Sequence, residues 1–272
     1  MIDIYQALFL ALVQGLTEFL PISSSAHLVI PSLVLGWADQ GLAFDVAVHV
    51  GTLMAVLFYY REDLLRMADR WLRSLAGAPA CDDSRLVWYL ALATVPAGMV
   101  GLLAGDFIEI NLRTLPVIAT TTLLFGVLLG IADRRTTATE FGRTLGLTMA
   151  ILIGCAQVLA LVPGVSRSGV TMTAALLLGM DRQASARFSF LLSIPIIASA
   201  GLLKVWELVV VGGAAAAAAV DWVSLGLGAL FSGLAAYFCI AIFLRLLNRV
   251  GFMPFVYYRI VLAAILYVFW LV

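Results

Sequence analysis

Charge is what this chain has least of. Only 12% of its 272 residues are Asp, Glu, Lys or Arg, against about 25% in a soluble domain. With 63% hydrophobic residues and a mean hydropathy of +1.08, that scarcity excludes an ordinary water-soluble domain and points to an integral membrane protein. The formal net charge is zero, so no basic footprint for nucleic acid is present. Cysteine is sparse too. Cys81, Cys155 and Cys239 are scattered, without metal-ligand spacing or a disulfide framework, and read as free thiols. A basic leader is lacking: Asp3 precedes the first apolar run and no small-residue cleavage site follows it. The chain thus reads without a cleavable signal peptide or a separate soluble domain. What recurs instead are apolar runs of about 20 residues, the length of a membrane-spanning helix rather than of a barrel strand.

The first run is interrupted. From Ile4 to Ala38 the only formally charged side chain is Glu18, inside the stretch QGLTEFLPISSSAH, residues 14–27. A carboxylate at the centre of a membrane helix costs about 2.5–3.5 kcal/mol on insertion scales, so it needs a partner or a task. Pro21 removes a backbone donor and discourages helix at Leu20. The flanking arms, Ile4–Val13 and Leu28–Leu35, are each too short to span. Broken backbone at this depth survives only when buried in protein or lining a wet cavity. The stretch reads as the tip of a re-entrant helix–loop–helix.

Three spans follow: Leu42–Tyr60, which holds Asp45 and His49 near its start, Leu86–Ala104, with Pro96 predicting a kink, and Leu115–Ala132. Between them lie a polar loop Arg61–Arg85 and a short turn Asp106–Arg113, and a second basic loop Asp133–Arg143 closes the half. The opening pattern then returns. Leu145–Met180 holds one charged residue, Arg167, in the motif PGVSRSG, between the apolar arms Leu145–Val162 and Val170–Met180. Gln157 precedes Pro163 much as Gln14 precedes Pro21, with a spacing that differs by one. After Asp181–Arg187 come Phe188–Trp206, Trp222–Leu244 and Phe252–Trp270. No function is assigned to the alanine run Ala214–Ala219.

The expected fold is all-α and polytopic: one membrane domain, 1–272, built as an inverted repeat of 1–135 and 144–272. Each half is a re-entrant helix–loop–helix plus three transmembrane helices. An odd number of spans per half forces opposite orientations, the logic of many transporters, with a site where two broken elements meet. Most basic residues fall on one side in this count. The positive-inside rule puts that side in the cytoplasm, with both termini and the mouth of the first hairpin outside. Trp37, Tyr59, Tyr60, Trp206 and Trp270 near span ends fit an aromatic belt.

Gln14 and Glu18, four residues apart, share a helix face. Glu18 suits a divalent cation or a proton, with Gln14 as a neutral ligand beside it; the alternative is a helix-packing pair or a structural ion pair with Arg167. Ser23, Ser24 and Ser25 combine hydroxyls with the free amides of a helix start expected near His27, which serves either capping or anion binding. His27 beside serines and a carboxylate suits a general base or acid. Arg167 stands between Ser166 and Ser168, with Gly164 and Gly169 allowing close backbone approach. Its guanidinium offers a fork matched to phosphate. Asp45 and His49, one turn apart, are open between support of the site and helix-end chemistry. Together these groups suggest phosphoryl chemistry on a lipid.

The motifs QGLTEFLPISSSAH, FDVAVHVGT, PGVSRSG and FSFLLSIPII, in this order, resemble the bacterial undecaprenyl pyrophosphate phosphatases, the bacitracin-resistance proteins. The resemblance covers essentially the whole chain. It implies removal of one phosphate from undecaprenyl pyrophosphate to recycle the carrier for cell-wall synthesis, with a divalent cation (Mg²⁺ or Ca²⁺) and a site open to the periplasmic side of the plasma membrane. By position the acidic motif falls on Gln14 and Glu18, the serine motif on Ser23 and Ser24, the histidine on His27 and the arginine on Arg167. Many members have glutamate where this chain has Gln14; Ser25-Ala26 stands where threonine-glycine is common.

The expected site is therefore Glu18, Ser24, His27 and Arg167 as catalytic groups, with Gln14, Ser23, Ser25, Ser166 and Ser168 on the substrate and Glu18 on the metal. Arg167 and loop amides hold pyrophosphate; Ser24 attacks with His27 as its base, attack by water or by His27 itself staying open. The lipid tail leaves sideways between helices. A transporter or flippase of the same lipid is the alternative, and a homodimer is left open.

Overall fold

The computed structural model describes residues 3–38, 40–136, 145–206 and 221–271. The run Ala214–Ala219 and residues 137–144 of the second basic loop lie outside them. Every regular element among the described residues is helical. Helix α1, Ile4–Thr17, starts at a capping box in which the Gln6 amide donates to the Asp3 carboxylate at 2.8 Å and the Asp3 amide to the Gln6 side chain at 3.1 Å. It stops before Pro21, and α2, Ser24–Val34, runs back. Helix α3, Leu42–Tyr59, bends by 75° into α4, Arg61–Leu75. Then come α5, Asp82–Leu112, and α6, Leu115–Thr136. The second hairpin is α7, Leu147–Gln157, with a 3₁₀ turn Val158–Leu161, and α8, Arg167–Leu177. Helices α9, Arg182–Trp206, α10, Trp222–Val250, and α11, Met253–Leu271, complete the order.

Among the described residues five helices, α5, α6, α9, α10 and α11, are long and apolar enough to cross a membrane, and the bent pair α3–α4 makes a sixth if it is counted as one span. Both hairpins lead in with helices too short to cross, α1, as the sequence predicts, and α7, whose arm is predicted as the longer run Leu145–Val162. The protein is thus an all-α polytopic membrane protein.

Four boundaries differ from expectation. The Arg61–Arg85 loop is half helix: α4 has no breaker, carries Glu62 and Asp63 in its first turn and Arg73 in its last, and pairs Arg66 with Asp63 at 2.6 Å and Arg73 with Asp69 at 2.9 Å. The Asp106–Arg113 turn is mostly the end of α5, which also continues through Pro96. Helices α2 and α8 start at Ser24 and Arg167, three residues earlier than expected.

Packing partners come in matched pairs. Helix α1 lies on α10 as α7 lies on α5; α3 lies on α10 as α9 lies on α5; α3 meets α9, and α6 meets α11. Small residues allow the close crossings. A Cβ on Gly51 of α3 would collide with the Ala229 carbonyl and the Ser232 hydroxyl of α10. Beneath the tips, Phe19 packs edge-on against Phe190 at 5.2 Å, within a core that includes Phe243 and Phe252. Tyr60, expected in an interfacial belt, is buried in this core, against Tyr59.

The basic ends gather at one end of the bundle. Arg187 of α9 pairs with Asp63 of α4 at 2.9 Å, and Arg66 reaches Asp83 of α5 at 3.1 Å. Arg182 pairs with the buried Asp133 of α6 at 2.6 Å, and Gln183 donates to the Leu244 carbonyl of α10 at 2.8 Å.

Candidate active site

The two hairpin tips meet, and they are alike in detail. Ser23 (φ 75°) and Ser166 (φ 73°) are the two non-glycine residues among those described with positive φ. Each sits immediately before the helix that leaves its tip. Each hydroxyl lies 3.2 Å from that of the serine two residues on, Ser25 and Ser168. Gln14 and Gln157, both buried, stand nine residues before Ser23 and Ser166. The tips therefore align on their serines, not on their prolines, and Ser24 corresponds to Arg167. A non-glycine residue held outside the usual backbone regions costs about 1–3 kcal/mol and persists where the surroundings over-determine it.

Glu18 is the centre of the site. Its side chain is 6% exposed. Oε1 accepts from Arg167 Nη2 at 2.9 Å; Oε2 accepts from the Ser24 hydroxyl at 2.7 Å and from Gln14 Nε2 at 3.0 Å. The carboxylate thus joins the first tip to the arginine of the second. Arg167 also donates through Nη1 to the Ser189 carbonyl of α9 at 3.0 Å, so its fork is divided between a carboxylate and a carbonyl. Its guanidinium lies 5.9 Å over the Phe19 ring. A second link between tips is the Ser168 hydroxyl, which donates to the Leu20 carbonyl at 2.8 Å.

The expected Ser24–His27 pair is not made. Ser24 turns back to Glu18, while His27 Nδ1 lies 2.6 Å from the Ser23 carbonyl and Nε2 lies 2.5 Å from the Tyr258 hydroxyl of α11. A carbonyl only accepts, so Nδ1 carries a proton and, in the neutral ring, Nε2 accepts from Tyr258. One turn of α2 separates Ser24 and His27, but Ser24 is drawn toward the carboxylate and His27 toward α11. Ser23 stands at the cap position of α2 without a capping bond from its side chain, and Ser25 is exposed. Ser166 does cap, accepting from the Gly169 amide at 3.1 Å.

His49 belongs to the site: its Nε2 lies 3.8 Å from Glu18 Oε2. Asp45 accepts from Gln40 instead, at 2.9 Å. Sequence reasoning missed Tyr258 and Arg259. Arg259 is the only charged residue of α11 and is fully buried, a signal that was there to be read.

Among the described residues no three His, Cys, Asp or Glu side chains converge, so a closed protein cage for a metal is not formed. The Gln14 Oε1 atom, however, is buried without a partner beside Glu18. One carboxylate and one orphaned amide oxygen fit a hard cation whose remaining ligands are phosphate oxygens and water, as Mg²⁺ is commonly held.

The family model described as bacitracin resistance protein BacA matches residues 7–265. A protein of Teredinibacter turnerae named undecaprenyl-diphosphatase is 53% identical over 98% of this chain and 99% of its own length. Proteins of the same name from Hahella chejuensis and Colwellia psychrerythraea are 54% and 55% identical, each over 94% of this chain. This chain belongs to the bacitracin resistance protein BacA family.

Proposed function

We propose that this protein hydrolyses undecaprenyl pyrophosphate to undecaprenyl phosphate and inorganic phosphate, recycling the lipid carrier for cell-wall synthesis. The observation that carries the reading is the Arg167–Glu18–Ser24 chain across the two tips, a cation, a carboxylate and a hydroxyl within hydrogen-bond reach of one another. Names of full-length relatives support it. Pyrophosphate enters between the tips, and Arg167 turns from Glu18 and the Ser189 carbonyl to present its fork to phosphate oxygens. Ser166, Ser168, Ser23 and Ser25 would supply hydroxyls around the pyrophosphate. Ser24 Oγ attacks the terminal phosphorus while its proton passes to Glu18 Oε2 along the hydrogen bond already formed. The bond from that phosphorus to the bridging oxygen breaks, and undecaprenyl phosphate leaves. Water then attacks the phosphoserine and gives a proton to His27 Nε2 as the Tyr258 hydroxyl turns away; phosphate departs, Ser24 recovers its proton from Glu18, and His27 gives its proton up to the departing phosphate. Direct attack by His27 or by water replaces the first step in the competing schemes.

Glu18 and Gln14 Oε1 would hold a divalent cation, Mg²⁺ or Ca²⁺, which neutralises developing phosphate charge when bound. The two halves are read as inverted repeats, 1–135 and 144–272, on the matched packing and the matched serine tips. With the basic end in the cytoplasm of the plasma membrane, both termini and the mouth of the site face the periplasm.

The test is phosphate release by the purified protein in detergent, where transport is not scored. Release of one phosphate per lipid is expected. A protein that binds the lipid but frees no phosphate belongs to the transport class, and the hydrolase reading ends.

A further inference from the structure

Re-entrant tips create a difficulty that helices do not have. Where α1 and α7 break, carbonyls lose their helical partners at a depth where no lipid group can replace them. In this structure one side chain meets the difficulty for both tips. Arg259 of α11 is fully buried and donates five hydrogen bonds, all to backbone carbonyls. Nη1 reaches the Pro21 carbonyl of the first tip and the Val165 carbonyl of the second, each at 3.1 Å. Nη2 reaches the Gly164 carbonyl of the second tip at 2.8 Å and Thr121 of α6 at 3.4 Å; Nε reaches Thr122 of α6 at 3.0 Å.

We infer that Arg259 is a positioning residue for the hydrolysis: one guanidinium bound to both tips fixes Arg167 against Glu18, Ser24 and His27. A buried arginine in a membrane helix is costly without a role. Here its charge faces inward carbonyl dipoles from three elements, and its rigid fork suits groups that diverge from one point. The adjacent Tyr258 holds His27 at 2.5 Å, so successive residues of α11 reach the catalytic groups and the backbone that carries them. Gly126 and Gly169 make the room. A Cβ at Gly126 would lie 3.0 Å from the Arg259 Cβ, and one at Gly169 would lie 3.0 Å from its Nη1.

The inference rests on the phosphatase reading, and the experiment separates them. Arg259→Lys keeps a charge but collapses three donor nitrogens into one. Gly126→Val, at a position of α6 with no part in the proposed chemistry, presses on the arginine stem without removing it. Both are purified in detergent, checked by size exclusion and thermal unfolding, and assayed for kcat and KM on undecaprenyl pyrophosphate. Displacement of reacting groups by about 1 Å can cost 10²-fold. The folded variants should therefore lose at least about tenfold in kcat while KM stays within about threefold. Deuterium exchange of peptides covering residues 20–25 and 163–168 should quicken in both tips together, a readout that needs no activity. A folded variant with wild-type kcat and only a lower melting temperature overturns the inference, as does exchange that quickens in neither tip. If Arg259→Lys yields no folded protein, Gly126→Val decides alone. An inactive wild type defeats the phosphatase reading instead, and the exchange result still stands or falls by itself.

Discussion

Replacing Arg167 by lysine keeps a positive charge at the join of the two tips but removes its division of labour. The guanidinium now spans the Glu18 carboxylate at 2.9 Å and the Ser189 carbonyl at 3.0 Å from two different nitrogens. A single ammonium can take one of these places well. Loss of one charge-assisted hydrogen bond costs about 1.5–3 kcal/mol. At the transition state the loss is that of one preorganised donor to developing charge, about 2.7–4 kcal/mol. At about 1.4 kcal/mol per decade, kcat should fall roughly 10²–10³-fold with folding preserved. Arg167→Ala should do worse, because Glu18, with its side chain 6% exposed, then loses its cation. Breaking one partner of a buried pair typically costs about 3–5 kcal/mol, so this variant should also unfold at lower temperature. The assay is phosphate release from undecaprenyl pyrophosphate by detergent-purified protein, normalised to the monodisperse fraction. A lysine variant within threefold of wild type would refute the forked phosphate role.

Three further outcomes follow from the same geometry. Ser24→Ala and His27→Ala should each lose phosphate release by orders of magnitude while still binding the lipid; if only His27→Ala does, histidine or water is the attacking group. Glu18→Gln places an amide donor opposite Arg167 or Ser24, so activity and its rise with added Mg²⁺ or Ca²⁺ should vanish together, whereas Gln14→Glu should be tolerated; full metal-titratable activity in Glu18→Gln sinks the cation role. Cys81, just ahead of α5, should react with a membrane-impermeant thiol reagent only after cells are opened, and rapid labelling from outside reverses the proposed orientation. The Ser84 amide donates to that sulfur and holds the thiol below its ordinary range, helped by Arg70. Labelling in opened cells should thus rise with pH through a midpoint lower than that of an unperturbed thiol.

The hairpins were legible because each violates a strong rule. Glu18 and Arg167 are single charges in long apolar runs, and Pro21 and Pro163 break helices where lipid forbids it. The spans were legible from length alone. Polar stretches misled: Arg61–Leu75 and Asp106–Leu112 are helical because no proline or glycine interrupts them, and polarity by itself does not end a helix. The repeat register was hidden for a different reason. Pro21 lies two residues before its strained serine and Pro163 three, so aligning prolines shifts the halves by one; backbone conformation shows that Ser23 and Ser166 are equivalent, and the equal spacing from Gln14 and Gln157 agrees with it.

Spacing brought Ser24 and His27 to one turn of α2, and that much holds; it could not say where each side chain turns. Ser24 is claimed by a carboxylate six residues upstream, and His27 by a hydroxyl 231 positions downstream. The second partner has no local sequence signal, since Tyr258 stands on the last helix and meets His27 only in the packed bundle. Yet a physical rule could have singled out its neighbour. Arg259 is as isolated among apolar residues as Arg167 is, and the reasoning that made Glu18 demand a partner applies to it equally. Its partners are carbonyls, which every residue has, so no search for complementary charges would find them. The alignment of the catalytic groups thus depends on a cation that answers to backbone rather than to any side chain, and substitutions at the tips that leave the carbonyls in place should leave that support intact.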